Sequence, residues 1–335
     1  MRRLVVPIVL TVIISVAFIY ALPNLRVAPV QASAEGQVVD DLLQFEFAIM
    51  GVIFALVMVF FFFSIVVFRR KAGETGDGEP IHGNVPLEIA WTIVPLAIVL
   101  YMGFYTAGLL NNITDTGTYD MEVEVTAAQW SWRFDYPDAD VTSTELVLPV
   151  GQRVLLRMTS PDVIHSFWVP EFRVKQDIVP GIETELITTP TEVGEYTVRC
   201  AELCGLQHAY MLAPVRVLEV AEYEAWLAEQ AAAEPAADPA ERGQTWSVEF
   251  GCSACHSADG SVVVGPTWLG VFGSTETLDD GSTVTVDEDY IRQSILEPES
   301  QLVAGYANVM PQNYREQLTD EQIDDIIAYI QSLAE

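Results

Sequence analysis

The sequence predicts a chain of three parts: a two-helix membrane anchor, an all-β sandwich or barrel, and a small, all-α C-terminal domain. Long apolar runs fill the first third, period-two alternation the middle, and helical spacing returns after a stretch rich in Ala, Glu and Pro. The 335 residues leave room for two folded domains besides the anchor. Hydrophobic residues make up 50% of the chain, yet the net charge is -31, so apolar and acidic parts must be separated along it. An acidic balance argues against nucleic acid, whose phosphates call for Lys and Arg. It suits a cationic partner or a salty milieu.

In the anchor, placed at residues 40–112, the run Phe47 to Phe68 carries no charge and is long enough to cross a hydrocarbon core. Arg69-Arg70-Lys71 follows it and marks the cytoplasmic side, so this helix runs inward. The run Ile89 to Leu110 must then return outward, with Pro95 tolerable inside a membrane helix. An earlier run, Leu4 to Leu22, follows Met1-Arg2-Arg3 and precedes Ala32-Ser33-Ala34, which has the form of a signal-peptidase site. Residues 1–34 are therefore a removed signal peptide or an extra N-terminal helix. In both cases the chain after Leu110 lies outside the cytoplasm.

Between residues 118 and 220 short β-branched segments such as "RVLLRM", "GEYTVRC" and "APVRVLEV", punctuated by Gly and Pro, predict the β-domain. The stretch 221–239, containing "EQAAAEPAADPAERG" in part, reads as a partly helical, semi-rigid linker. Residues 240–335 read as the helical domain, where Thr319 and Gln322 form a capping-box signature before "DEQIDDIIAYIQSL".

Two constellations carry chemistry. "CAELCGLQHAYM" at 200–211 places Cys200, Cys204, His208 and Met211 on one segment of a chain with only four cysteines and four histidines. Soft thiolate and thioether donors with imidazole select copper, zinc or iron, and a thiolate pair can bridge two ions. Of the remaining histidines, His82 falls on the cytoplasmic side and His256 belongs to the second constellation, which leaves His165 in the loop "PDVIHSFWVP". The second is Cys252-Ser253-Ala254-Cys255-His256, the C-x-x-C-H pattern of covalent c-type haem attachment. Beyond His256 there is no other histidine, no lysine and a single methionine, Met310, which is left as the opposite axial ligand. A thioredoxin-like C-x-x-C would follow a strand, whereas helical segments surround this one.

From about Asp40 to Val220 the chain resembles subunit II of the haem-copper cytochrome c oxidases. "C-x-E-x-C-x-x-x-H-x-x-M", "HSFWVPEFRVKQDIVPG", "AQWSWRFDY" and "VPLEIAWTIVP" carry the likeness. The resemblance implies a cupredoxin-like sandwich holding the dinuclear CuA centre. Cys200 and Cys204 would bridge both coppers, His165 and His208 would bind one each, and Met211 would be a weak ligand. Glu202 would bind copper through its carbonyl and help hold magnesium through its carboxylate. Trp130 would receive electrons, and Glu88 would sit at the cytoplasmic mouth of a proton channel. Residues 240–335 resemble a class I cytochrome c, with "GPTWLGVFG" near the proximal histidine. Together these resemblances imply the subunit through which electrons reach a proton-pumping oxygen reductase in a prokaryotic plasma membrane, with both metal domains outside. Implied partners are subunits I and III, an external donor such as a cytochrome c, and membrane lipid. A nitric-oxide-reducing haem-copper enzyme and a membrane-anchored copper chaperone are the competing readings.

Overall fold

The computed structural model describes residues 2–21, 28–70, 72–73, 75–78, 80–233 and 236–334. Leu22 of the first apolar run, Lys71 of the basic cluster, and Glu234 and Pro235 of the linker lie outside the described residues. Residues 1–31 with 35–115 form one unit, and 32–34 with 116–335 a second.

The first unit holds α1 (Arg2–Ala21), α2 (Ala34–Val67) and α3 (Val85–Ile113), each long and apolar enough to cross a membrane. The two-helix anchor expected from the sequence is thus corrected to three apolar helices. Pro7 does not break α1: it forgoes one bond, to the Arg3 carbonyl, a loss that long apolar helices tolerate. On α2, Gly51, Ala55 and Val59 recur every fourth residue and are buried. A Cβ at Gly51 would fall 2.2 Å from Phe18 of α1, so only glycine lets these two helices approach so closely. At the start of α3 the Asn84 side chain accepts the Leu87 N–H at 3.3 Å, and Pro86 fills the first turn, where its missing donor costs nothing.

The second unit opens on two five-stranded sheets built from β1 (Met121–Ala128), β2 (Ser131–Tyr136), β3 (Val141–Ser143), β4 (Leu146–Pro149), β5 (Val154–Thr159), β6 (His165–Val169), β7 (Val174–Ile178), β8 (Thr184–Thr188), β9 (Gly194–Cys200) and β10 (Leu212–Leu218). Their orders are β3-β2-β1-β5-β8 and β4-β10-β9-β6-β7. The β1–β5 and β4–β10 pairs run parallel and the others antiparallel. Alternate residues such as Val123, Val125, Phe134, Leu156 and Val215 are fully buried between the sheets, as a period of two requires. His165, expected in a loop, is instead the first residue of β6, because "HSFWV" is an apolar run that pairs with both β7 and β9.

Residues 32–34 are part of this sandwich. Ala32 N–H donates to Glu171 O and Ala34 N–H to Thr189 O, both at 2.9 Å, while the Ser33 hydroxyl donates to Phe172 O at 2.7 Å. Ala32 and Ser33 are fully buried. The small-residue triplet thus has a packing role as well as a processing signature.

Next, α4 (Val220–Ala232) lays Tyr223 and Trp226 on the sandwich, the Trp226 ring 5.3 Å from that of Tyr136. The cytochrome-like module follows: α5 (Pro239–Glu249), a small hairpin of β11 (Thr275–Thr277) and β12 (Thr283–Thr285), then α6 (Glu288–Leu296), α7 (Tyr314–Gln317) and α8 (Asp320–Ser332). The capping box at Thr319 and Gln322 forms as its spacing predicts. Where α5 crosses α8, a Cβ at Gly243 would lie 1.9 Å from Asp325 O, so glycine is needed for the close approach. Asp325 is also gripped by Arg242, Nη2 at 2.6 Å and Nε at 2.8 Å. Ile323, Ile326, Ile327 and Ile330 of α8 make one wall of the module's core.

Candidate functional site

Strand pairing assembles the first centre. Because β6 lies beside β9, with Phe167 opposite Cys200, the start of β6 brings His165 to the end of β9, and the loop between β9 and β10 supplies the rest. His165, Cys200 and Cys204 offer ligand atoms all within 4.8 Å of one another. The two sulfurs are 3.6 Å apart, and Cys200 Sγ is 3.8 Å from His165 Nδ1 and 3.2 Å from Glu202 O. Cys204 Sγ lies 3.6 Å from His208 Nδ1 and 3.7 Å from Met211 Sδ. All four cysteines are free. The Cys204 thiol holds Cys200 well below the usual thiol range, against the cost of burial, and Cys204, facing that charge, is pushed up. A soft cation replacing the remaining proton would meet two sulfurs, two imidazoles and a thioether, the donor set suited to copper.

Apart from Trp130, the supporting residues are ones the sequence reading did not single out. Asp162 Oδ1 accepts from His165 Nε2 at 2.9 Å, which leaves Nδ1 turned toward the sulfurs. Burial would raise this carboxyl, but the bonds from His165 and from the Gln129 and Val163 N–H groups hold it below its ordinary range. Burial likewise opposes the charged imidazole, but Asp162 and Cys200 together outweigh it, so His165 is raised. Gln129 Nε2 and Trp130 Nε1 both donate to Cys204 O, at 2.6 and 3.2 Å, and Trp132 Nε1 donates to Met211 O at 3.3 Å. A carboxylate three residues before a candidate ligand histidine was the available signal.

The second centre is a cavity lined by Cys252, Cys255, His256 and Met310. Cys252 to Ala254 form a short 3-10 turn, and His256 stacks on Trp268 with ring centroids 5.1 Å apart. His256 Nδ1 lies 2.8 Å from Pro266 O, and burial lowers the imidazole, so its Nε2 is a neutral lone pair. Burial pushes Cys252 up to about 12 and also raises Cys255. These are protonated thiols, unlike the lowered cysteine of a dithiol oxidoreductase. An apolar cavity with two thiols, a neutral imidazole and a thioether on its wall fits a covalently attached haem.

The two centres meet at Trp130. It is 6% exposed, and with Gln129 it lines the haem-type cavity while its ring N–H reaches the copper-type loop. A Cβ at Gly251, which has φ of 75°, would lie 3.2 Å from Trp130 N and from Ser131 Oγ. Ser131 Oγ donates to Glu249 O at 3.0 Å, Asn313 Nδ2 to Pro161 O at 3.2 Å, and Arg133 Nη1 lies 4.0 Å from the Glu249 carboxylate. Ala254 and Cys255 pack against the sandwich core.

Two expected residues stand apart. The Glu202 side chain is exposed, and among the described residues no cluster of three potential metal ligands includes it, so a magnesium site gains no support. Glu88 lies in the first unit, where its Oε1 accepts the Asn84 N–H at 2.8 Å as part of the α3 cap.

Comparison with known proteins gives three family matches in chain order. The transmembrane domain of cytochrome c oxidase subunit II matches residues 24–109, its periplasmic domain 141–220, and cytochrome c 240–334. The periplasmic domain of subunit II of cytochrome oxidase (CoxB) of Bradyrhizobium japonicum is 30% identical, covering 35% of this chain and 96% of that one at a TM-score of 0.34. Cytochrome c oxidase subunit 2 of Thermostichus vulcanus is 33% identical over 59% of this chain and 76% of its own. The subunit 2 of Alkalihalophilus pseudofirmus is 31% identical over 309 residues, 89% of this chain and 88% of its own. With likeness extending from the membrane helices through the cytochrome module, the chain belongs to the cytochrome c oxidase subunit II family.

Proposed function

We propose that the chain takes electrons from an external carrier and passes them, by way of its own haem c and then CuA, to the oxygen-reducing site in subunit I. When bound, haem c and dinuclear copper each exchange single electrons. Cys252 and Cys255 would hold the haem covalently, and His256 Nε2 and Met310 would bind its iron. Cys200, Cys204, His165, His208 and Met211, with the Glu202 carbonyl, would hold the coppers. Asp162 fixes the His165 ring, and Gln129 holds the Cys204 loop by its carbonyl.

The observation that carries this reading is Trp130, which borders the haem-type cavity and donates to the carbonyl of Cys204. Trp130 is buried, and the turn at Gly251 packs against its backbone. The three apolar helices are proposed as membrane spans with both metal modules on the outer side, α1 being retained because residues 32–34 are bonded into the sandwich. Subunit III and a basic carrier are the further partners proposed. Flash reduction of the full-length, metal-loaded chain tests the order: the c-type band should reoxidise in step with copper reduction, and more slowly in Trp130→Leu. Independent kinetics at the two centres would refute it.

A further inference from the structure

Met310, proposed above as a haem ligand, stands on a thinly held loop, residues 307–313. Gln312 Nε2 donates to Met310 O at 2.9 Å, and the Val309 N–H donates to Ala307 O at 2.9 Å. Among the described residues, a single hydrogen bond ties this loop to a distant part of the chain: Asn313 Nδ2 donates to Pro161 O of the sandwich at 3.2 Å. Asn313 immediately precedes α7, where an asparagine ordinarily caps its own helix, yet its side chain makes no such bond. Because a carbonyl only accepts, the amide nitrogen must face Pro161, and Oδ1 is turned the other way. Oδ1 is buried and has no hydrogen-bond partner among the described residues. An unbonded buried acceptor weakens a fold, so stability alone is a poor reason for Asn313.

The acceptor it meets bears on the copper-type centre. Pro161 O belongs to the peptide unit that leads into Asp162, and the N–H of that same unit donates to Ser160 Oγ at 3.3 Å. The unit is thus gripped at both ends, by Ser160 from within the sandwich and by Asn313 from the cytochrome-like module. Its setting aims the Asp162 carboxylate, which accepts from His165 Nε2 and from the Gln129 N–H. Tyr314, next to Asn313, is buried, with its hydroxyl 3.4 Å from Phe250 O, one residue before the Gly251 turn that packs on Trp130. Burial raises the Tyr314 phenol, with the two cavity thiols and Asp162 adding to it, so this ring too is within electrostatic reach of Asp162.

We propose that Asn313 is a positioning residue shared by the two centres: its bond to Pro161 ties the loop that carries Met310 to the turn that carries Asp162. This rests on the haem and copper reading above. Breaking that one bond releases the Met310 loop from the sandwich and leaves the peptide unit before Asp162 held at its N–H alone. A ligand of one centre and the residue that orients a ligand of the other are then freed by the same event. Gln312 supplies the comparison. Its bond to Met310 O is internal to the loop, so its loss disturbs Met310 without touching Asp162.

The test is hydrogen exchange, read by mass spectrometry, on the full-length, metal-loaded chain in detergent. Beside it are followed the far-red absorption that a methionine sulfur gives on ferric haem and the copper EPR hyperfine pattern. Asn313→Ala should speed exchange about fivefold, the factor for one net hydrogen bond, both at residues 162–165 and at 307–313. The far-red band should weaken and the hyperfine pattern change, while the melting temperature hardly moves, because the unbonded Oδ1 leaves together with the bond. Asn313→Asp, which sets a carboxylate oxygen against Pro161 O, should act in the same direction. Gln312→Ala should quicken exchange at 307–313 alone. Unchanged exchange at 162–165 in Asn313→Ala, or the same rise there in Gln312→Ala, overturns the inference; so does a uniform rise that includes β5, the mark of general loosening. An unmodified chain without a c-type band or a copper signal would instead sink the reading of the centres, while exchange still reports on the contact, so the two failures are told apart.

Discussion

Replacing Asp162 with Asn tests whether a buried carboxylate organises the copper-type centre. Asp162 Oδ1 accepts from the Val163 N–H at 2.6 Å, from His165 Nε2 at 2.9 Å and from Ser160 Oγ at 3.1 Å, while Oδ2 accepts from the Gln129 N–H at 2.7 Å. Its side chain is only 8% exposed. An amide has one oxygen, which keeps the Oδ1 partners, so its NH2 must face the Gln129 N–H, donor against donor. Leaving that buried donor unpaired costs about 1–3 kcal/mol, and the His165 bond loses its charge assistance. Gln129 is also the residue that holds the Cys204 carbonyl, so both halves of the ligand set loosen together. Loss of such a supporting partner lowers metal affinity by about 10–100-fold. Copper competition against a chelator, read by the sulfur-to-copper absorption bands and by EPR, gives the number. Copper affinity and EPR hyperfine pattern both unchanged in Asp162→Asn would refute the argument.

Three further outcomes follow from the packing. Glu249 is raised, first by burial and then by Asp135, with Arg133 opposing from 4.0 Å, too far to prevail. The native state therefore holds that proton to higher pH than the unfolded chain does. Its contribution to stability is present in acid and fades as pH climbs past the ordinary carboxylate range; Glu249→Gln should flatten that slope in denaturant titrations of the full chain at several pH values. Gly243→Ala places a methyl against the Asp325 carbonyl, a backbone group that cannot swing aside, and should cost at least about 1–3 kcal/mol, seen as a lowered haem content and melting temperature. Peptide mapping of the purified subunit should recover residues of α1; a mature chain starting near Ala34 would remove α1 as a third span.

The candidate ligands closest in sequence were the most legible. Cys200, Cys204, His208 and Met211 fall on one loop, where spacing alone reports proximity, and His256 adjoins its cysteine pair. Met310 and His165 came from elimination, which works only because histidine and methionine are scarce. What could not be read were contacts made by docking: Glu249 lies 118 residues from the Ser131 that its carbonyl bonds, and no local pattern encodes that meeting. The α1 helix was ambiguous for a different reason: a basic start and the Ala32-Ser33-Ala34 triplet fit a removed signal sequence, while the length of the apolar run fits a retained span. In α4, Tyr223 and Trp226 were passed over amid Ala and Glu, although two aromatics three apart already mark one buried helical face.

The helix crossing at Gly243 also sets a schedule for biosynthesis. Ile326 and Ile330 of α8 line one side of the cavity, and α8 follows every other described element of the module in chain order. The copper-side sandwich can therefore fold while synthesis continues, but the cytochrome module stays open-walled until its final turns emerge. A ribosome stalled after the sandwich has emerged but before Asp320 leaves a finished sandwich beside an unfinished neighbour.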